Sequence, residues 1–365
     1  MNKRSLERSL SAYSWYVVFA RAYFWTPLFV LFFSSVVTLK QIFLLEAIYY
    51  ASVFLLEVPS GYFSDFFGRK RTLLISTACL GISYLLFFVG GSFNMFALAQ
   101  VFLAVGFSFA TGTDTSLHYA LLSSLNKDDE YGAREARLSS RYYISIAAAA
   151  IMGGLFAWLN EYRIAYGLSF VFALMSFFLV VSMVDPDQGA NEKPRHPFLQ
   201  IKSVFGKLKD PVLKYLFVFS VIIVVLNHIP YELYQIYIDR MLSDLNRPPI
   251  AEANTIILGV HTAFSMIIAS FFAGRSIGVK KILGTKNALV LLVALQTILI
   301  GSMFFNASYL VVLLLLFRGL PGAISNPIVR SETTHKLEPS LRATYFSTKS
   351  LLGRISFAGI LVLFN

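Results

Sequence analysis

Apolar segments about as long as a lipid bilayer is thick recur along the whole chain. They cover residues 14–36, 41–62, 72–90, 94–117, 141–160, 164–184, 213–238, 253–274, 287–305, 308–329 and 343–364. A helix of about 20 residues spans the roughly 30 Å of hydrocarbon in a bilayer. With 56% hydrophobic and 14% charged residues, the 365-residue chain has more apolar surface than a soluble fold can bury. The sequence therefore predicts an all-α membrane protein with about eleven transmembrane helices.

Basic residues are distributed unevenly between the segments that join these spans. Most of the 31 Lys and Arg residues fall in alternate joining segments, and only Lys40, Arg163, Arg240 and Arg247 lie in the others. Because cytoplasmic loops are enriched in Lys and Arg, this pattern predicts that the N-terminus is cytoplasmic. The net charge of +11 is then explained by topology, with the lipid bilayer as partner and no nucleic acid required.

A polar stretch interrupts the apolar spans near the middle of the chain. Residues 185–212 contain Pro186, Gly189, Pro194 and Pro197 among many charges, which is typical of a linker. We therefore expect an N-terminal bundle of six helices over residues 1–184, a cytoplasmic linker over 185–212 and a C-terminal bundle of five helices over 213–365.

One short charged stretch, Gly61–Arg71, lies between the second and third spans. Gly61 allows two helices to approach closely, and Gly68 allows a turn with positive φ. Asp65 can accept hydrogen bonds from the amides at a helix end. The basic cluster Arg69-Lys70-Arg71 favours the cytoplasmic side.

Together with Glu57-Val58-Pro59-Ser60 before it, this stretch resembles the signature loop of the major facilitator superfamily of secondary transporters. The family pattern is Gly-x-x-x-Asp-(Arg/Lys)-x-Gly-Arg-(Arg/Lys). It is matched by Gly61, Asp65, Gly68, Arg69 and Lys70, whereas Phe66 replaces a basic residue. The resemblance implies two six-helix bundles, of which the twelfth helix is absent from this sequence. It also implies a cytoplasmic gate formed by the matching residues, with Asp114 in the fourth span as the salt-bridge partner of Arg69. The alternative for Asp114 is a helix cap or a hydrogen bond between helices.

Ionisable and amide side chains inside the predicted spans are candidates for a substrate or ion pathway, because a charge in hydrocarbon needs a partner or a cavity. The candidates are Arg21, Glu46, Glu57, Asn227, His228, Glu232, His261, Arg318 and Arg354. Glu46 and Glu57 are eleven residues apart, which places them within about 20° on one helix face and about 16 Å apart along the axis. They form either a proton or cation relay or a pair neutralised by neighbours such as Arg21.

The second half offers two further patterns. His228 and Glu232 are four residues apart and flank Pro230, so they are neighbours on a helix that the proline disturbs. His261 is either a packed polar residue or a ligand. Arg318 and Arg354 fit an anionic substrate group, or permanent pairs with Glu46, Glu57 or Glu232.

These observations lead to three functional hypotheses. The first is a secondary transporter of a small molecule that works by alternating access, with proton-coupled efflux of an amphipathic compound as its expected form. The second is uptake of a small organic anion, and the third is a membrane sensor or degenerate relative that does not transport. No phosphate loop, His-Glu-x-x-His motif or Ser/His/Asp set is present, so no enzyme activity, metal or cofactor is expected. The expected protein is a monomer in the bacterial plasma (inner) membrane.

Overall fold

The computed structural model describes residues 2–186, 197–243, 253–305 and 308–363, without the side chains of some residues in α9, α10, α11 and α15. Fifteen helices and three short 3-10 turns make up the described part, which contains no strand. The helices are α1 Lys3–Ala20, α2 Phe29–Ser34, α3 Leu39–Phe67, α4 Arg69–Val89, α5 Phe93–Ala110, α6 Thr113–Ser123, α7 Tyr131–Trp158, α8 Tyr162–Ser182, α9 Pro197–Lys207, α10 Pro211–Ser243, α11 Ala253–Leu283, α12 Thr285–Phe305, α13 Tyr309–Leu314, α14 Leu320–Thr334 and α15 Arg342–Leu363. The all-α prediction is confirmed.

Eight helices or helix pairs in the described chain are long and apolar enough to cross a bilayer. They correspond to the predicted spans except the first, fifth and eleventh, whose helices α1, α7 and α15 are less apolar. The count of eleven spans and the division into two bundles remain predictions. Residues 1–184 are called the N-terminal half below, and residues 213–365 the C-terminal half.

The first predicted span, residues 14–36, is not one continuous helix. Helix α1 begins at Lys3 and ends at Ala20, and regular helix resumes only at Phe29 in α2. Pro27 lies in this break, and proline disfavours a helical conformation of the residue before it. Gly153 of α7 packs so closely against Phe24 and Pro27 that a Cβ atom would have no room there. The prediction of one continuous helix over the first span is therefore wrong.

The charged stretch between the second and third spans is a tighter connection than the sequence indicates. Helix α3 continues to Phe67 and α4 begins at Arg69, so only Gly68 separates them. Gly68 has φ +103°, which confirms the predicted positive φ. Gly284, with φ +75°, makes the same one-residue connection between α11 and α12. The two halves thus repeat one helix–glycine–helix unit.

Two other predicted spans are also interrupted. Gly112 has φ +74° and separates α5 from α6 within the span predicted over residues 94–117. A 3-10 turn at Leu315–Phe317 separates α13 from α14 within the span predicted over residues 308–329. These breaks matter for the site because Asp114 and Arg318 lie within a few residues of them.

Small residues bring the two halves into close contact along α7 and α11. A Cβ atom on Gly259 would lie 2.8 Å from the carbonyl oxygen of Ala150 and 3.1 Å from Cα of Gly154. Further along the same pair, the hydroxyls of Ser140 and Ser270 are 2.8 Å apart. Such contacts are typical of helix packing in membranes, where small residues let backbones approach.

We call the end of the molecule that carries Gly68 and Gly284 the inner end, and the distribution of basic residues predicts that it faces the cytoplasm. The linker helix α9 packs there against the start of α15. The next helix, α10, is capped by Asp210, whose carboxylate accepts hydrogen bonds from the amides of Val212 and Leu213. The hydrogen bond from Leu213 holds the pKa of Asp210 below its usual range.

Candidate functional site

The two halves meet at the inner end through the carboxylate of Asp65. Its Oδ1 accepts a hydrogen bond from the amide of Ala343 at 2.9 Å, and its Oδ2 accepts from the amide of Thr344 at 2.8 Å and from the Thr344 hydroxyl at 2.7 Å. Both amides belong to the first turn of α15, which has no intrahelical acceptors for them. The carboxylate of α3 therefore caps α15 of the other half, as expected of an acceptor for helix-end amides.

The other residues of the charged stretch lie around this cap. Gly61 packs against α15, where an added Cβ would lie 2.7 Å from the Ser347 hydroxyl and 2.9 Å from the carbonyl oxygen of Ala343. Arg69 is 3% exposed and donates to the carbonyl oxygen of Pro339 at 3.0 Å. Together with the bonds of Asp65, these contacts form what we call the inner closure.

Lys70 has a different role from its neighbours. Its backbone amide donates to Asp185 at 3.0 Å and its side chain donates to the carbonyl oxygen of Val181 at 2.7 Å. Val181 lies near the end of α8 and Asp185 follows that helix, so these bonds join Lys70 to α8 and to the start of the linker.

Asp114 pairs with Arg21, and the expected pair with Arg69 is not formed. Nη2 of Arg21 lies 3.0 Å from Oδ2 of Asp114, while Oδ1 accepts from the amide of Thr115 at 2.6 Å. The break at Gly112 starts a new helix, so Asp114 occupies the first turn of α6. The break after α1 leaves Arg21 next to this turn. Two interruptions of helical structure, neither of them predicted, thus select the partner.

A second buried charge network was missed by the sequence analysis. Nδ1 of His118 lies 2.5 Å from Oε1 of Glu135, and Oε2 of Glu135 accepts from Arg330 at 3.1 Å. Glu135 is 1% exposed, and the ring of Tyr13 stacks on His118 with centroids 4.9 Å apart. Since Arg330 belongs to α14, this network crosses between the halves. The sequence does not predict that these residues are buried, because Glu135 lies in a charged segment between two predicted spans and Arg330 lies just beyond another span.

The two acids of α3 have different surroundings. Glu46 accepts a hydrogen bond from Gln100 of α5 at 3.1 Å. Glu57 is fully buried, and the hydroxyl groups of Ser350, Ser108 and Thr111 lie near its carboxylate. The strongest charge interaction of Glu57 is with Arg354 of α15, which also interacts with Tyr49. Glu57 therefore faces a cation of the other half without a close salt bridge, and the relay through both acids remains a prediction.

Arg318 is buried among neutral groups of the C-terminal half. It donates to Nδ1 of His261 at 3.2 Å, to Thr262 at 3.1 Å and to the carbonyl oxygen of Leu315 at 3.1 Å, and it lies 4.0 Å from the ring centroid of Tyr234. Nε2 of His261 lies 3.0 Å from the carbonyl oxygen of Val312. His261 can satisfy both contacts only as the neutral tautomer with its proton on Nε2. Pairing of Arg318 with Glu46 or Glu57 is not observed.

Of the predicted candidates on α10, the structure describes the side chains of Asn227 and His228. Nδ1 of His228 donates to the carbonyl oxygen of Val224 at 2.7 Å, and Asn227 packs beside Gly322 of α14. The side chain of Glu232 lies outside the described residues, so its pairing with His228 stays a prediction. Within the described part, no group of three or more His, Cys, Asp or Glu residues could hold a metal ion.

The sequence matches the family model of the Major Facilitator Superfamily over residues 10–359. The chain belongs to the major facilitator superfamily. No curated protein matches the sequence significantly.

Solved structures of superfamily transporters share the fold. The human organic anion transporter MFSD10 (TETRAN) is 16% identical, with a TM-score of 0.66 over 97% of this chain and 91% of that one. The proton:xylose symporter XylE, bound to 6-bromo-6-deoxy-D-glucose, is 14% identical, with a TM-score of 0.64 over 98% and 87%. The nucleoside transporter NupG is 15% identical, with a TM-score of 0.59 over 96% and 88%. At these identities the likeness establishes the fold.

Proposed function

We propose that the chain is a proton-coupled secondary transporter that moves an amphipathic small molecule by alternating access, with Glu57 as the proton-carrying group. In this mechanism the inner closure opens and re-forms while the two halves rock about a site between them.

The observation that carries this proposal is the position of Glu57. Its carboxylate is fully buried in α3 of one half, and its main charge interaction is with Arg354 in α15 of the other half. An ionised Glu57 attracts Arg354, and a protonated Glu57 does not. Proton binding at this carboxylate therefore changes the attraction between the halves, which is the coupling that a proton-driven transporter needs.

Aromatic side chains near the half-to-half contact support an amphipathic substrate. Tyr23 in the break after α1, Tyr49 of α3 and Tyr142 of α7 are each partly accessible. Tyrosine offers both an apolar ring and a hydrogen-bonding hydroxyl. Export is the direction that we propose, and it is tested by whether a compound accumulates on the outer side of the bilayer when protons flow inward.

Transport in proteoliposomes under an imposed pH gradient tests the role of Glu57. A panel of amphipathic compounds identifies one that the wild-type protein accumulates, and Glu57→Gln is then compared with wild type. We expect Glu57→Gln to abolish gradient-driven accumulation but to retain exchange of labelled for unlabelled compound, because exchange needs no cycle of protonation.

Glu130→Gln is the matched control. Glu130 lies in an exposed 3-10 turn and pairs with Arg134 at the surface, so its replacement should leave both activities unchanged. Gradient-driven accumulation that survives in Glu57→Gln would show that another group carries the proton. Failure of the wild-type protein to move any compound would favour the non-transporting relative.

A further inference from the structure

Lys349 is a cation deep inside the molecule that has no acidic partner among the described residues. It lies seven residues into α15, about 10 Å beyond the start of the helix and past the inner closure. Part of its side chain is accessible although residues 341–348 before it are all buried, and we call the space that this accessible part faces the internal space. Its Nζ lies 5.0 Å from the ring centroid of Phe346.

The charged group that interacts most strongly with Lys349 has the same sign. Arg330 of α14 is the one charged group that interacts noticeably with Lys349, and this interaction is repulsive. Two cations that approach each other in a low-dielectric interior are costly unless an anion lies near them. An anion bound near both cations would offset this cost.

The acids near this space are already engaged. Glu135 contacts both His118 and Arg330, and Asp114 contacts Arg21. With each of these carboxylates held by an arginine, the charge of Lys349 remains in excess. The other interior cations of the C-terminal half differ from Lys349, since Arg318 is surrounded by hydrogen-bond acceptors and Arg354 faces Glu57.

Groups around the internal space suit the body of an organic molecule. Asn326 is exposed although its neighbours Ser325 and Pro327 in α14 are buried, and its side chain interacts with Tyr143 of α7 in the other half. Tyr142 of α7 lies beneath Arg21, 5.7 Å from its guanidinium carbon, and also interacts with Arg330. The ring of Tyr142 thus lies beside the positive charges of Arg21 and Arg330.

We propose that Lys349, assisted by Arg330, binds the anionic group of the substrate, which makes the substrate an amphipathic organic anion such as an aromatic carboxylate. This inference rests on the proposed function, because it assigns the substrate class of the transporter. Lys349 supplies the point charge, Arg330 supplies the N–H groups that Glu135 leaves free, and Tyr142 contacts the apolar body. Both cations belong to the C-terminal half, while Tyr142 belongs to the N-terminal half, so the bound anion contacts both halves.

Binding to the purified full-length protein tests the assignment. Calorimetric titration with a panel of amphipathic carboxylates, each matched with its own primary amide, separates recognition of charge from recognition of shape. We expect the wild-type protein to bind its preferred carboxylate at least about tenfold more tightly than the matching amide, a difference of about 1.4 kcal/mol. Lys349→Met should lower the carboxylate affinity to that of the amide and leave the amide affinity unchanged.

Two further variants complete the test. Lys349→Arg keeps the charge and should retain the preference for the carboxylate. Lys336→Met removes a surface lysine that pairs with Asp210 and should behave as wild type. A thermal unfolding midpoint close to that of wild type shows that Lys349→Met is folded, and Lys349→Arg addresses the same question independently.

The outcomes distinguish this inference from the proposed proton coupling. A full carboxylate preference in Lys349→Met, or a panel in which no carboxylate binds better than its amide, would overturn the assignment of Lys349. Equilibrium binding at constant pH needs no proton gradient. The substrate class can therefore be wrong while Glu57 still carries the proton, and the reverse also holds.

Discussion

The guanidinium of Arg21 and the carboxylate of Asp114 are 3.0 Å apart, and both belong to the N-terminal half. Arg21 also donates to the hydroxyl of Tyr23 at 2.9 Å and lies over the ring of Tyr142. Because the pair lies within one half, it is expected to persist when the halves move. Its role is to hold α1, α6 and α7 together beside the internal space.

We predict that Arg21 and Asp114 are energetically coupled and that Arg69 and Asp114 are not. In a double-mutant cycle, Arg21→Gln and Asp114→Asn should together cost less free energy of unfolding than the sum of the single changes, by about 0.5–3 kcal/mol. The cycle of Arg69→Gln with Asp114→Asn should be additive, since these side chains share no hydrogen bond or ion pair. Denaturant unfolding in mixed micelles measures both cycles, and coupling found only in the second would contradict the structure.

At the scale of helices, α3 and α15 are the elements that close the inner end. Their contact depends on Gly61, which leaves no side chain between the helices, and on Asp65, which caps α15. The carbonyl oxygen of Ala343 lies only 2.9 Å from the point at which a larger residue at position 61 would place its Cβ. A backbone atom cannot rotate away as a side chain can, so the helices themselves must separate.

We therefore predict that Gly61→Ala opens the inner end. The reporter is a cysteine replacing Ser64, a buried residue on nearly the same face of α3, in a Cys79→Ser background. Its labelling by a membrane-impermeant maleimide from the inner side should increase severalfold. The matched control is Gly301→Ala on α12, where an added Cβ meets no atom within 4 Å. Equal labelling in the two alanine variants would show that α3 and α15 do not form the closure.

Some of these elements can be predicted from the sequence and others cannot. The predicted spans 72–90, 164–184 and 287–305 agree with α4, α8 and α12 within three residues, because uninterrupted apolar length determines such helices. The breaks after Arg21 and at Gly112 are different, since each depends on contacts with another helix, such as Gly153 with Phe24 or Gly112 with Phe346. A single sequence does not contain those contacts.

The same reason limits prediction of the site. The roles of Gly61, Asp65 and Gly68 in the inner closure can be predicted, because they depend on the properties of these residues themselves. The partners of charged side chains are not local, since Glu135 and Arg330 are 195 positions apart and approach only when α7 and α14 pack. Lys349 lies within the predicted span 343–364. That it has no acidic partner among the described residues can be seen only in three dimensions.

At the scale of the whole molecule, the halves are joined at the inner end by bonds of two kinds. Asp65 and Arg69 bind neutral groups of the C-terminal half, namely backbone groups and the Thr344 hydroxyl, while Glu135 binds a charged side chain, Arg330. In the Glu135–Arg330 pair the carboxylate is deeply buried, since Glu135 is 1% exposed. Removing one member of such a pair leaves the other poorly solvated, so this bond is a strong candidate for the lock that favours the closed inner end.

We predict that Glu135→Gln shifts the molecule towards an inner-open state, because Arg330 and His118 then lose the carboxylate that both of them contact. Spin labels at Arg71 of α4 and Lys281 of α11, exposed residues at the inner ends of the two halves, report the separation in a Cys79→Ser background. The distance distribution should move towards longer distances in Glu135→Gln. Glu130→Gln should leave it unchanged, since Glu130 makes only a surface pair on the same side of the molecule.

If the carboxylate acts only within the N-terminal half, through His118, then Arg330→Gln will leave the distances as in wild type while Glu135→Gln lengthens them. Matching shifts in the two variants, and no larger shift in the double variant, are the result expected of a lock between the halves.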